Sequence, residues 1–292
     1  MILTGTPLAV YGTGLLRTEI YPAADSGYLW RRRPGPQAPT GFAASCPGLA
    51  DRVAASGGGH RLVTASAEPD GARIYRVAGK DSLAAHLLRF GPGPEAEHAL
   101  REVGALLARL HALPVDAAAP SGPPRGWLRL RGWLTEGHEP VATQAGKLLR
   151  SHLGEQRWKI LQTWCGQALF EGRRTVICHG APSLGGVVIL PTTGRVEVLT
   201  GEDLCLAPWP TDLGWLVGEL IELSWTYGGD PHDWQALLTS LYSGYGNDLG
   251  AQWNRAAALR IALHLHDFSA YVAWQPHEVR RYAGFLRFLI DL

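Results

Sequence analysis

Lysine is nearly missing from this 292-residue chain: Lys80, Lys147 and Lys159 are the whole supply. Arginine carries most of the remaining positive charge, and 27 basic residues against 26 acidic ones leave a formal net charge of +1. No sustained Lys/Arg stripe appears, so the electrostatic footprint of a nucleic-acid-binding surface is absent. Cysteine is sparse too. Cys46, Cys165, Cys178 and Cys205 stand far apart, with no Cys-x-x-Cys or Cys/His zinc spacing, and read as reduced thiols. No uninterrupted apolar run reaches the ~18 residues that a membrane span needs. The first residues lack a basic stretch followed by an apolar one, so no signal peptide is expected. Together these absences predict a soluble, cytoplasmic protein with no membrane or nucleic-acid partner. Methionine occurs once, while Ala, Gly, Pro and Arg are abundant, a bias expected of a high-GC bacterial gene. Eleven tryptophans are many for this length. They suit either core packing or an aromatic-rich contact surface, where Trp is favoured.

The length allows one large domain or two lobes around a sizeable core. Residues 8–33 suit strand, turn, strand, turn, strand, with Gly12-Thr13-Gly14 in the first turn. Residues 34–60 are rich in Pro, Gly and Ala, with one short helical stretch near Leu49–Val53. Two more strands, Arg61–Ser66 and Arg73–Val77, are predicted to be joined by the turn signal Pro69-Asp70-Gly71. Over residues 95–112, apolar residues recur at three- and four-residue spacing, the clearest helix of the chain. Residues 114–126 read as an exposed loop, and 140–171 as two helices. The last third predicts four more, over 212–227, 230–245, 251–273 and 277–291. Asp212 suits the N-cap of the first of these. His264 and His266, two apart, diverge on a helix and do not make a zinc pair. Cys178 adjoins His179, but neighbours on a strand face opposite ways, which disfavours a Cys/His nucleophile.

The most informative stretch is Val176-Ile177-Cys178-His179-Gly180-Ala181-Pro182-Ser183-Leu184-Gly185-Gly186-Val187-Val188. It resembles the catalytic loop of the aminoglycoside phosphotransferase family of small-molecule kinases, which runs apolar strand, His-Gly-Asp, a few residues, Gly-Asn, apolar strand. His179 and Gly180 match. Ala181 stands where that family has its catalytic Asp, and Gly186 where it has a metal-binding Asn. The family's next magnesium Asp aligns with Thr200, in Val198-Leu199-Thr200-Gly201-Glu202-Asp203. Asp212 survives, and in the family it braces the catalytic loop. Ile74–Leu83 is similar to the family's hinge, whose backbone would bind adenine, and Leu107-Ala108-Arg109-Leu110-His111 matches its Leu-x-x-Leu-His helix end.

The resemblance implies an α+β, bilobal protein-kinase-like fold: a trimmed antiparallel N-lobe over residues 1–77 and a mainly α-helical C-lobe over 78–292. Gly12 and Gly14 would take the place of a phosphate-covering loop. The strand Lys that reaches the phosphates is replaced by Arg31, Arg32 or Arg33, with Arg31 and Val77 the cleft candidates. Phosphoryl transfer rests on positioning and charge neutralisation. Losing the base and both metal ligands removes the hard oxygen donors magnesium requires, so no metal is expected, while metal-independent nucleotide binding stays open. The resulting expectation is a catalytically inactive pseudokinase in which His179 and Asp212 are structural. It would hold a protein or peptide partner in the cleft or on the Trp-rich surface. Kinase-like proteins of this kind occur in actinobacterial natural-product pathways, some beside lyases acting on ribosomal peptides, which suggests a biosynthetic complex. The alternatives are an enzyme using the old nucleotide cleft for other transfer chemistry, or a residual small-molecule phosphotransferase.

Overall fold

Three strands come first in the computed structural model, which describes residues 5–24, 27–44, 46, 48–54, 59–116, 119–135, 140–170, 175–190 and 192–292. They are β1 (Ala9–Gly12), β2 (Leu16–Pro22) and β3 (Tyr28–Pro34). After α1 (Leu49–Ala54) and β4 (Arg61–Thr64) come β5 (Ser66–Ala67) and β6 (Arg73–Val77). The antiparallel sheet runs β1-β2-β3-β6-β5. β4 departs from the expected hairpin. It pairs in parallel with β9 (Arg195–Thr200), which also pairs antiparallel with β8 (Val187–Leu190). Only the two residues of β5 face β6. Leu62 and Val63 are buried by this excursion, which ties the first part of the chain to the segment that follows the catalytic-loop motif.

α2 (Leu83–Phe90) starts at Ser82, whose side chain accepts the Ala85 N–H at 3.1 Å. α3 (Pro94–His111) has Pro at its first position, Glu95 and Glu97 in its first turn and Arg109 and His111 in its last, matching the helix dipole at both ends. α4 (Arg125–Thr135), α5 (Pro140–Leu153) and α6 (Glu155–Phe170) follow. The sequence reading placed no helix at α4, because its two glycines adjoin a Pro/Gly-rich stretch and blur the helical period. β7 (Thr175–Cys178) pairs with β10 (Cys205–Pro208), and α7 (Pro210–Tyr227), α8 (Pro231–Tyr245), α9 (Trp253–Tyr271) and α10 (Pro276–Asp291) complete the chain. α3 and α8 cross with almost no space between them. A Cβ on Gly244 would sit 1.8 Å from the Arg101 carbonyl oxygen, and one on Gly104 2.3 Å from that of Leu241.

Four apolar clusters organise these elements, the smallest being Cys178, Cys205 and Ala207 on β7 and β10. One joins α3, α7 and α8 to β8 and β9, and a second holds α4, α5, α6, α9 and α10 together. The third, smaller one lies between the N-terminal sheet and β8–β9: Ile20, Trp30, Val63, Tyr75, Val77, Val188 and Leu199. Six of the eleven tryptophans, Trp30, Trp127, Trp133, Trp158, Trp215 and Trp234, are buried, whereas Trp253 and Trp274 are the exposed ones. No helix of the described residues is long and apolar enough to cross a membrane.

Candidate functional site

The catalytic-loop motif lies between β7 and β8, and its first two residues are fixed by Asp212. The Asp212 carboxylate is fully buried and accepts the His179 N–H at 2.7 Å, the Gly180 N–H at 2.9 Å and His111 Nε2 at 2.9 Å. His111 Nδ1 in turn meets the Tyr245 hydroxyl at 2.9 Å. Asp212 therefore does not cap its own helix. Trp209 holds the N-cap position without a side-chain bond, and Asp212 sits within the first turn, reaching across to a loop over thirty residues away. Burial pushes its carboxyl up, but the His111 bond and field, helped by His179 and the Gly180 N–H, outweigh this and hold it below the usual Asp value. Gly180 is required here. Its φ is +89°, and a Cβ would lie 1.9 Å from the Asp203 carbonyl oxygen. His179 Nε2 meets the Leu199 carbonyl at 2.8 Å, while its buried Nδ1 has no partner among the described residues.

A cleft of about 150 Å³ opens beside this loop, with His179, Ala181, Ser183, Gly186, Arg32, Glu202 and Asp203 among its walls. Its strand cation is Arg32. Arg31 points to the opposite face of β3, where it pairs with Glu19 at 3.2 Å, Glu68 at 2.7 Å and Asp70. Strand alternation then places Trp30 on the same face as Arg32. Arg32 Nη1 binds Glu202 Oε2 at 3.1 Å and stands 3.8 Å from the point a Cβ would occupy on Gly186. Tyr75 donates its hydroxyl to the other Glu202 oxygen at 2.9 Å. Burial raises the Glu202 carboxyl above its usual range, with Arg32 opposing. Further along the cleft, Arg125 pairs with Asp203 at 2.9 Å and Arg129 with Asp267 at 2.7 Å. Burial works against the Asp267 charge, yet the bonds from His266 and Arg129 bring its carboxyl down to about 2.

The segment that resembles the family's hinge has its polar groups engaged by the chain itself. Trp30, 3% exposed, donates its indole N–H to the Gly79 carbonyl at 3.1 Å. The Ala78 N–H donates to Glu197 Oε2 at 2.6 Å, and Glu197 is fully buried between Arg61 and Arg195, each at 2.8 Å. Val77, 2% exposed, packs with Trp30, Val188 and Leu199 in the third apolar cluster. A Cβ on Gly79 would already be 2.8 Å from Val188 Cγ1. Gly12 and Gly14 do not themselves line the cleft, although Leu15 and Leu16, which follow them, do. The Gly14 N–H donates to the Tyr271 carbonyl at the end of α9 at 2.7 Å, and its carbonyl accepts the Gln37 N–H at 2.8 Å. Gly12 lines a different hollow, with His264 and Phe268. Of the four cleft candidates from the sequence, only Val77 touches the hinge region, and there it fills space. Asp51, the one residue of α1 that could stand in for the family's helix Glu opposite the strand Lys, has a side chain outside the described residues.

Comparison with known proteins fits this geometry. Residues 64–259 match the model of the phosphotransferase enzyme family, APH. The chain belongs to that family. No curated protein matches this phosphotransferase-family chain in sequence. Among solved structures, an amicoumacin kinase in complex with AMP-PNP, Ca2+ and Ami is similar at 14% identity and a TM-score of 0.62, covering 97% of this chain and 87% of that one. A spectinomycin phosphotransferase in complex with ADP and spectinomycin gives 10% identity, a TM-score of 0.53 and coverage of 97% and 92%. A Plasmodium vivax ethanolamine kinase gives 11%, 0.52, and 95% and 79%. At these identities the likeness is one of fold, and the antiparallel sheet with its mainly helical partner is the APH and protein-kinase-like fold.

The family's magnesium does not fit the residues present. Gly186 has no side chain. Thr200 is fully buried and gives its hydroxyl to the Val198 carbonyl at 3.0 Å. The carboxylates closest in sequence, Glu202 and Asp203, are held by Arg32 and Arg125. A guanidinium stands over the Gly186 position, and a divalent cation there would face it directly. Elsewhere, His60, His98 and Glu102 cluster, but the Val196 N–H donates to His60 Nδ1 at 3.2 Å. That bond leaves the neutral ring's proton on Nε2, the atom facing Glu102, and takes its lone pair out of use. His264 pairs with Glu222 and His266 with Asp267, so neither is free as a ligand. The Cys178 thiol is buried and pushed well up by burial and by Asp212, far from the thiolate a nucleophile needs.

Proposed function

We propose that this member of the phosphotransferase family is catalytically inactive and works as a binding or scaffold subunit. The observation that carries the reading is the filling of the nucleotide site by the chain's own groups. An indole occupies the hinge carbonyl, a carboxylate occupies the hinge N–H, and an Arg32–Glu202 pair replaces the strand Lys and metal at the phosphate end. Ala181 offers no base. Phosphoryl transfer needs all of these parts at once, and their loss is non-additive, so a single reversion restores little. The loop meanwhile keeps its braces, Asp212 and Gly180, which supports selection for shape. In this reading the partner is a protein or peptide, held in the cleft or on the remaining exposed tryptophans. A natural-product complex acting on ribosomal peptides is the setting that the high-GC composition and the family resemblance favour.

One atom favours a second reading. His179 Nδ1 lines the buried loop with its lone pair unpartnered, and could accept a proton in some other transfer reaction. Labelled ATP with magnesium or manganese, offered to aminoglycosides, small alcohols and candidate precursor peptides, separates the two. The proposal expects no transfer above a protein-free control. Turnover abolished by a substitution anywhere in residues 179–203, including His179→Ala, overturns it.

A further inference from the structure

A second cavity, of about 160 Å³, shares no lining residue with the nucleotide cleft. It lies among α4, α6, the β10–α7 junction and the start of α9. Three tryptophans wall it: Trp127, Trp164 and Trp209. Its polar lining residues are Arg255, Gln167, Gln252 and Thr211, beside the tryptophan indoles, and among the described residues no carboxylate lines it.

Two of the polar groups on these walls, Arg255 and the Trp127 indole, can only donate. Trp127 is 3% exposed, and its Nε1, a donor with no acceptor capacity, has no partner among the described residues. A buried donor without an acceptor is costly, and native folds rarely keep one. Arg255 donates to Gln167 Oε1 at 3.0 Å, and its guanidinium lies 5.4 Å from the Trp164 ring centroid. No carboxylate pairs with Arg255 among the described residues, so its charge is unneutralised. Because the Gln167 oxygen is engaged by Arg255, what Gln167 has left to offer is its amide N–H groups. Flat aromatic faces, a guanidinium without a carboxylate partner and one unsatisfied indole N–H suit a planar ring bearing a carboxylate. A guanidinium and a carboxylate make the strong, charge-assisted form of hydrogen bond. The volume suits a single ring.

We propose that this cavity is a binding site for a small aromatic carboxylic acid, separate from the nucleotide cleft and independent of whether the chain has phosphotransferase activity. The test is calorimetry on the full chain with phenylacetate and with its neutral, equal-sized analogue phenylacetamide. Saturable phenylacetate binding is expected, with the amide weaker by about tenfold or more. Arg255→Met should weaken phenylacetate by about tenfold or more, and Trp127→Phe several-fold, with the melting temperature checked for each. Should Arg255→Met fail to fold, Gln167→Glu serves instead, since it sets a carboxylate against Arg255 and should abolish acid binding. The proposal is overturned by no saturable phenylacetate binding at millimolar concentration, or by equal binding of acid and amide. Affinity unchanged in the folded Arg255 or Gln167 variant overturns it as well, as does equal competition by inorganic phosphate, which would mark a site that reads charge alone.

Discussion

Replacing Asp212 by alanine lowers the folding free energy by roughly 3–5 kcal/mol, the cost of breaking a buried, hydrogen-bonded charge constellation. The substitution strands the His179 and Gly180 N–H groups and His111 Nε2 in a dry interior. A lost helix cap alone would cost only about 1 kcal/mol, so the size of the effect tells the two roles apart. In a chain of this size the melting temperature should fall by roughly 10 °C. The pH dependence has a definite sign. The folded Asp212 carboxyl sits below its usual value, so the native state binds fewer protons than the unfolded one in the acid range. Its contribution is fully present above about pH 4 and is lost as the pH falls through the folded value. The gap in melting temperature between wild type and variant should stay level from pH 5 to 8 and narrow below 4. Thermal melts across that range check it. A drop of only 1–2 °C would reduce Asp212 to an ordinary cap.

Trp30→Ala should be comparably severe. The indole is buried against Val77, Val188 and Leu199, and removing a core Trp costs about 3–5 kcal/mol. It also unmasks the Gly79 carbonyl, the hinge acceptor. The resulting hole is lined by apolar side chains and one acceptor, a fit for a flat heteroaromatic with an N–H. Indole or adenine at millimolar concentration should therefore raise the variant's melting temperature by a few degrees through preferential binding to the folded state. Wild type should not respond. A variant that melts like wild type, or a wild-type chain stabilised equally by indole, would show that Trp30 does not fill the hinge slot.

The parts legible in the sequence are those written locally. His179-Gly180 stands out because only glycine tolerates the positive φ beneath Asp203, and α3 because its apolar period and its end are intact. The misreadings are non-local. Whether Arg31 or Arg32 faces the cleft depends on the phase of β3, and alternation alone leaves that phase open. The pairing of Arg31 with Glu19, Glu68 and Asp70 fixes it, and those acids come from β2 and from the turn between β5 and β6. Asp212 looked like a cap because caps are local, whereas its partners are a loop before it and a helix end about a hundred residues upstream. β4 reads as half of a hairpin, yet its partner is β9, more than a hundred residues away. The hinge seal was hidden for the same reason. The Trp30–Gly79 bond joins residues 49 apart, and its only trace in the sequence was a large aromatic two places before the inward arginine.

The central claim is that the nucleotide site is filled by the chain's own side chains. Isothermal titration of the full chain with ATP, with and without magnesium, tests it most directly. The account predicts no saturable heat at millimolar nucleotide under either condition, because the hinge N–H, the hinge carbonyl and the strand cation are all engaged internally. Saturable, magnesium-dependent ATP binding displaced by ADP would contradict it.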